Sequence, residues 1–446
     1  MINVTRIFSQ ERLNIMNQNQ INPEKEPLLS SSPSDETPAS LCCEEKPLPK
    51  GKRNISIKHL LFYLAVILLS CIYLFVGYHL SVDKAGLFRN EMQVTSSVAR
   101  VTEILHDRND MGEIGGHVYY EHVITFQADI LSGDGKGQSV KALQKIDNLT
   151  GNGMRPVSVG DKIFLFQTNP EENIEWEAGD FYRSDSILIL AAVFLLGMLV
   201  FGRSKGLKTI LSLVFTCLAI FVVFVPAILA GYNAYFVSII TCLFTIAMTL
   251  ALVSGPSRKS LSAALGCAGG VMVAGILSFF MDHVMKLTGY LNDETMYVSL
   301  LNESSPIDLR AIIFAAIIIG AMGATMDVAM DITSSLFEIH RKIPDISFWH
   351  LVQSGFNIGR DIMGTMANTL ILAYIGSSLT TVLLYASYQA SLEQLLNREL
   401  IIVELLQALS GSIGILCTIP ISAFIASGLC CMKKRAIKKE ALSLFF

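Results

Sequence analysis

Eight apolar runs divide the chain, at about residues 60–78, 186–202, 207–225, 233–253, 261–281, 309–331, 365–387 and 401–430. Most are near the ~20 residues a helix needs to cross ~30 Å of hydrocarbon. The last is interrupted by Gly411, Gly414 and Pro420, which predicts a kink. Between the first two runs lies a polar stretch with a different period. Its segments QVTSSVARVTEIL, HVYYEHVITFQADIL, QSVKALQKI and DKIFLFQT are β-rich and alternate apolar with polar positions, as strands do. The turn signals SGDGKG and VGD separate some of them. The pattern predicts an α-helical polytopic membrane protein of about eight transmembrane helices. It adds a small extracytoplasmic β-domain of roughly five strands, OB-like in character.

Charge orders these parts. Residues 1–58 hold six of the 13 prolines and nearly balanced charge, which predicts a disordered tail. The tail ends in KPLPKGKRNISIK, five basic residues and no acid, directly before the first span at 59–78. By the positive-inside rule the tail is cytoplasmic. The β-domain, 79–184, then lies outside. A seven-helix domain follows over 185–431, and a basic cytoplasmic tail over 432–446. Arg203, Lys205 and Lys208, then Arg258 and Lys259, then Arg341 and Lys342 fall in alternate short loops. All are cytoplasmic if both termini are. The remaining loop, 282–308, carries five acids against Lys286 and is expected outside. The first run starts behind a long polar tail and has no small-residue cleavage site, so no cleavable signal peptide is expected. Between the sixth and seventh runs, PDISFWHLVQSGFNIG is too short to span, and its Phe348, Trp349, Leu351, Val352 and Phe356 predict an interfacial helix on the inner leaflet.

Composition agrees with a membrane class. The chain is 52% hydrophobic and only 16% charged, with mean hydropathy +0.49, against about 25% charged in an average soluble domain. A net charge of −4 without a basic, aromatic-laced patch excludes a nucleic-acid partner. The β-domain has no cysteine, so neither disulfides nor thiolate-bound metal hold it.

Two runs carry polar seams. At 100° per residue from Asp327, the positions Gly320, Gly323, Asp331, Ser334 and Glu338 fall within about 40°. From Asp361, the positions Asn357, Gly364, Thr365 and Asn368 fall within about 60°. An acid in a span costs about 2.5–3.5 kcal/mol and normally faces a partner or a wet cavity. Carboxylates and amides suit protons and hard cations. The seams therefore nominate Asp327, Asp331, Asp361, Thr365, Asn368 and Glu338 as a proton- or cation-binding set. The competing account is depth. If the span begins at Leu309, Asp327 lies about 27 Å along it, and the acids merely cap the inner interface, pairing with Arg360 or Arg341. Met322, Met326, Met330, Met363 and Met366 crowd the region and raise a soft-metal site, although methionine more often serves as adaptable packing. Gly320 with Ala324, and Ala264, Ala268, Gly269, Gly270 and Gly275, are small residues that let membrane helices approach closely.

Catalysis finds little support. GPSRKS at 255–260 lacks Walker A spacing, and GDGKG at 133–137 is a turn. Two aspartates on neighbouring spans suggest an aspartyl protease, but Met326-Asp327 and Arg360-Asp361 lack that family's contexts. The sequon Asn148-Leu149-Thr150 matters only in a glycosylating host. No enzyme activity and no cofactor are expected.

GAMGATMDVAMDITSSLFEI and SGFNIGRDIMGTMANTLILAYIG resemble the signature of the YibE/F-like multi-pass membrane proteins, over the chain from the first span to the eighth. The resemblance implies a multi-span membrane protein with an extracytoplasmic domain, presumed to be a permease. The last three spans also look like those of the proton-driven SecF and RND superfamily. There Asp327 and Asp331 would be proton-relay residues, though this chain has eight spans where that pattern has six. The expectation is a permease or secondary transporter in the cell membrane, coupled to protons or cations and acting on an ion or small molecule. A homo-oligomer or an envelope partner is compatible with it. The rival is a non-transporting protein whose external domain binds a partner in envelope assembly or sensing.

Overall fold

The computed structural model describes residues 57–85, 96–114, 117–133, 135–147, 155–171, 174–300, 307–387 and 391–443. Met1–Asn54 and Ile55–Phe446 separate as two units. The first, with the expected disordered tail, lies outside the described residues, as does the sequon.

Helix α1 (Ile57–Ala85) presents one face to the bundle. Tyr63, Val66, Ile67 and Leu74 pack against Phe215, Met248 and Leu252, and Tyr73 stacks on Phe244 with ring centroids 3.9 Å apart. Its other faces expose leucines, as a lipid-facing helix does.

Five strands then close into a barrel: β1 (Ser96–Ile114), β2 (His117–Ser132), β3 (Ser139–Asp147), β4 (Lys162–Glu171) and β5 (Ile174–Phe181). The order is β1-β2-β3-β5-β4, with β3 and β5 parallel through Ala142↔Trp176 and the other pairs antiparallel. Every second residue of β2, Ile124, Phe126, Ala128 and Ile130, enters the core with Val101, Ile163 and Leu165. Buried Gln144 accepts from Val157 N–H at 2.9 Å and donates to the Arg155 carbonyl at 3.2 Å, stapling the segment before β4 to β3. The SGDGKG turn has Gly133, Gly135 and Gly137 at φ of 94°, 82° and 88°, a region closed to most other residues. A barrel with its own closed core is self-sufficient, so residues 80–182 expressed alone should give a strand-type far-UV CD spectrum and a cooperative melt. A helical or unstructured spectrum would contradict that reading.

Helix α2 (Ser184–Leu218) is not one rod. Arg203 has φ 48° and ψ −128°. A Cβ built on Gly206 would lie 2.1 Å from the Met198 carbonyl, whereas residues eight apart in a straight helix are about 12 Å apart. The chain therefore reverses here. A π segment, Ala219–Phe224, and α3 (Val225–Leu229) complete the run. Pro226 lacks the N–H that would bond back one turn, and the ladder widens just before it.

Helix α4 (Ala234–Ser254) and α5 (Arg258–Met285) follow, capped by Asn233 and Ser257. After the short α6 (Asp293–Leu300) comes α7 (Leu309–Lys342), capped by Asp308. Helix α8 (Phe348–Ser377) starts on the Ser347 cap and bends by 55° into α9 (Leu379–Ser387). A single turn of helix, α10 (Leu392–Leu396), leads to α11 (Glu399–Ser443), which carries Pro420 inside it and continues through the basic segment. Among the described residues six helices are long and apolar enough to cross a membrane, or seven with the bent pair.

The expected interfacial helix is corrected. Residues 348–359 are the first half of α8 and run unbroken into the seventh apolar segment. Leu351 and Val352 are buried. Gly355 fits against Leu336 and Ala423, and Gly359 against Ile419. Docking on α7 and α11 holds this half of the helix.

The centre of the bundle is α5, α7 and α11. Gly266 and Gly270 receive the hydroxyls of Ser422 and Thr418, and Gly275 fits against Phe314 and Ile318. At one end Glu399 accepts from Thr288 N–H and Gly289 N–H at 2.6 and 2.7 Å and from the Thr288 hydroxyl at 2.8 Å, tying the start of α11 to the turn after α5.

Candidate functional site

The α7 seam lies between two packing ridges. On one side Met330 touches the Ser254 hydroxyl of α4 through sulfur at 3.6 Å. On the other, Ala324, Val328, Ile332 and Leu336 share a cluster with Ile358, Ile362 and Met366 of α8 and Ile415 and Ile419 of α11. Gly323, Asp327, Asp331 and Glu338 are left exposed. They lie on one exposed face of α7, a floor between its contacts with α4 and α8. A Cβ on Gly323 would meet nothing within 4 Å, and one on Gly320 would strike the Tyr374 hydroxyl of α8 at 2.3 Å. Tyr374 therefore closes one end of the floor. Sequence reasoning missed Tyr374, because only the tertiary register brings it to Gly320.

That register fixes the heights. Gly320 meets Tyr374, and Leu336 meets Gly355. Interpolating between these antiparallel contacts levels Asp331 with Asp361 and Asp327 with Thr365. The α8 seam does not face α7, however. Gly355, Gly359, Ile362, Met366 and Leu370 make the packing face of α8. Asp361, Thr365 and Asn368 are exposed on its other side. Thr365 donates its hydroxyl to the Ile362 carbonyl at 2.9 Å, within its own helix. The structure thus brings the two seams to one height without direct contact between them.

Neither Asp327 nor Asp331 has a basic partner among the described residues. Arg341 pairs with Glu338 at 2.6 Å. Two internal markers give the height of the seam along the bundle. Helix α4 has 21 residues, about 31 Å, and its last residue, Ser254, touches Met330. That places Asp327 one turn inside the helix end. Phe348, Trp349, Phe356 and Phe424 form an aromatic cluster, with Trp349 69% exposed. Such rings mark membrane interfaces. The contact of Gly355 with Leu336 levels this cluster with a point nine residues, about 13 Å, beyond Asp327.

The methionines divide between the two ridges. Met322, Met326 and Met330 pack with α4 residues such as Cys242 and Ile246, and Met363 and Met366 pack in the other ridge. Among the described residues no group of three or more His, Cys, Asp or Glu is placed to hold a metal ion.

The family described as YibE/F-like protein matches residues 190–431, more than half of the chain. Comparisons with curated proteins and with solved structures give no match. The matched stretch contains both seams and the α5–α7–α11 centre. It starts at residue 190, so the first span and the barrel lie outside it, a narrower reach than the sequence motifs suggest. The chain belongs to the YibE/F-like protein family.

Proposed function

We propose that the protein is a permease or secondary transporter coupled to protons or cations through Asp327 and Asp331 on the groove floor. Asp361, Thr365, Asn368 and Glu338 are its polar surroundings at the same end. The observation that carries this reading is the pair of unpaired carboxylates one turn apart on an exposed helix face inside a span. Facing hydrocarbon, two such acids cost roughly 5–7 kcal/mol together, so the groove holds water or is covered by a second copy of the chain. Two carboxylates a turn apart can share a proton between them. The mobile species passes along the groove; the reading involves no bond-breaking chemistry. The test is the purified protein in liposomes with an imposed pH gradient, followed with an internal pH dye. Proton movement above that of empty liposomes, dependent on candidate ions or small solutes, supports the reading. No movement across a broad solute screen rejects it.

The same reading includes eight crossings with both ends in the cytoplasm of the cell. Among the described residues six helices are long and apolar enough to span. The reversal at Arg203 turns one of them into two crossings, and the bent α8–α9 pair adds the eighth. Cysteines placed at Ser132 and Asn302 should react with an impermeant maleimide in intact cells, above the parent chain's background. One placed at Ser257 should stay unlabelled. Labelling at Ser257 alone would reverse the orientation.

A further inference from the structure

A cavity of about 800 Å³ opens at the end of the bundle where α5 begins and α7 ends. Arg258 and Lys259 stand on one wall, and His340 and Arg341 on another. These side chains come from two helix ends about 80 residues apart in sequence, and only the fold gathers them. Lys205 is also within electrostatic reach of Lys259.

Formal cations outnumber acids on the lining, with Arg258, Lys259 and Arg341 against Glu338 and Asp345. Glu338 pairs with Arg341 at 2.6 Å and also attracts Lys259, and Asp345, on the same lining, has a partner of its own. Among the described residues Arg258 and Lys259 make no ion pair. Helix α5 also starts at this cavity. Its Ser257 cap accepts from Ser260 N–H, which leaves the N–H groups of Arg258 and Lys259 as first-turn donors at the positive end of a 28-residue helix. His340, half-buried on the same lining, has an Nδ1 without a hydrogen-bond partner among the described residues.

We infer that this cavity binds a phosphate group, donated by an anionic lipid of the surrounding leaflet or taken up as free phosphate. Arginine, lysine and helix N-terminal N–H groups are the donors that suit phosphate oxygens. The apolar part of the lining, Phe337, Pro344 and Leu429, fits the ester and acyl portion of a lipid and has no use for inorganic phosphate. The exposed Trp349 on the adjoining helix α8 places this end of the bundle at the membrane surface.

The test uses the purified full-length chain in nanodiscs and in detergent. In the first arm, retained lipid is measured by native mass spectrometry after equilibration with equal phosphatidylglycerol and phosphatidylcholine. In the second, inorganic phosphate alone is titrated and binding is followed by calorimetry. Preferential retention of phosphatidylglycerol, lost in Arg258→Gln/Lys259→Gln and kept in Lys286→Gln, identifies the lipid as the source. Phosphate binding with the same variant dependence, and no lipid preference, identifies free phosphate. Neither ligand responding to the double variant overturns the inference. Should that variant fold poorly, Glu338→Gln serves instead: it frees Arg341 and removes a negative charge, so binding should tighten several-fold. Unchanged or weaker binding there also overturns the inference.

Discussion

Asp327→Asn/Asp331→Asn should fold like the parent chain and lose proton flux by about two orders of magnitude. The magnitude follows from the roughly 10²–10⁴-fold that a positioned proton-transfer group contributes to a rate. Asparagine keeps the volume and polarity of aspartate but cannot take up and release a proton near neutral pH. Stability should hardly move. Both residues are exposed on the groove floor and neither has an ion-pair partner to lose. Surface changes of that kind stay within about 0.5 kcal/mol. Glu338→Gln should reduce flux less, because Glu338 is two turns further along and engaged with Arg341. If the acids merely finish helix ends at the inner surface, the double variant keeps full flux, and that result removes the relay. Thermal melting in detergent, run beside the flux assay, separates loss of chemistry from loss of fold.

How much of this the sequence discloses depends on the range of the interaction concerned. The apolar runs report a need for apolar surroundings, a property of each residue's own side chain, and long apolar helices, six or seven of them among the described residues, are found over them. The break between 186–202 and 207–225 is legible because GRSKG interrupts the hydrophobic pattern, and the chain does reverse at Arg203. Strand β5 is harder to see. Its sequence, IEWEAGDF, carries three acids and a glycine, and it becomes a strand by pairing with β4 and with β3. The misread segment is instructive. PDISFWHLVQSGFNIG has the amphipathic make-up of a leaflet-lying helix, but its apolar side is used against Leu336, Ile419 and Ala423. An apolar face states that it must be covered, and only tertiary structure states by what. The seams show the same limit. Helical periodicity groups Asp327 with Asp331 and Asp361 with Thr365. That the two sets share a height, yet look in different directions, depends on which faces the glycines of α8 bring into contact. The cations of the α5–α7 cavity are further beyond reach, since Arg258 and Arg341 meet only through the packing of two helices.

Gly270→Leu should abolish the folded bundle. A Cβ at this position would lie 1.7 Å from Thr418 Oγ1 and 2.9 Å from the Gly414 carbonyl oxygen. The first clash involves a side chain; the second is with backbone, so no rotamer change relieves both. Helices α5 and α11 must separate, and α7, which leans on the pair through Gly275 and Gly414, separates with them. Overpacking in a close-packed interior typically costs about 1–3 kcal/mol, and more when backbone must move. Membrane helices packed through small residues also have little hydrophobic drive with which to re-dock. The expected readout is loss of the monodisperse peak in fluorescence size-exclusion chromatography, with no cooperative melt. Gly270→Ala should be milder, and Thr418→Ala should partly rescue it: the hydroxyl clash goes, while the 2.9 Å approach to the Gly414 carbonyl stays. Gly428→Ala is the control. Its added Cβ meets nothing within 4 Å, so it should be neutral or raise stability by up to about 1 kcal/mol through helix propensity. A Gly270→Leu protein that melts like its parent would mean that α5 and α11 do not touch along this line, and the groove would lose the scaffold that positions Asp327.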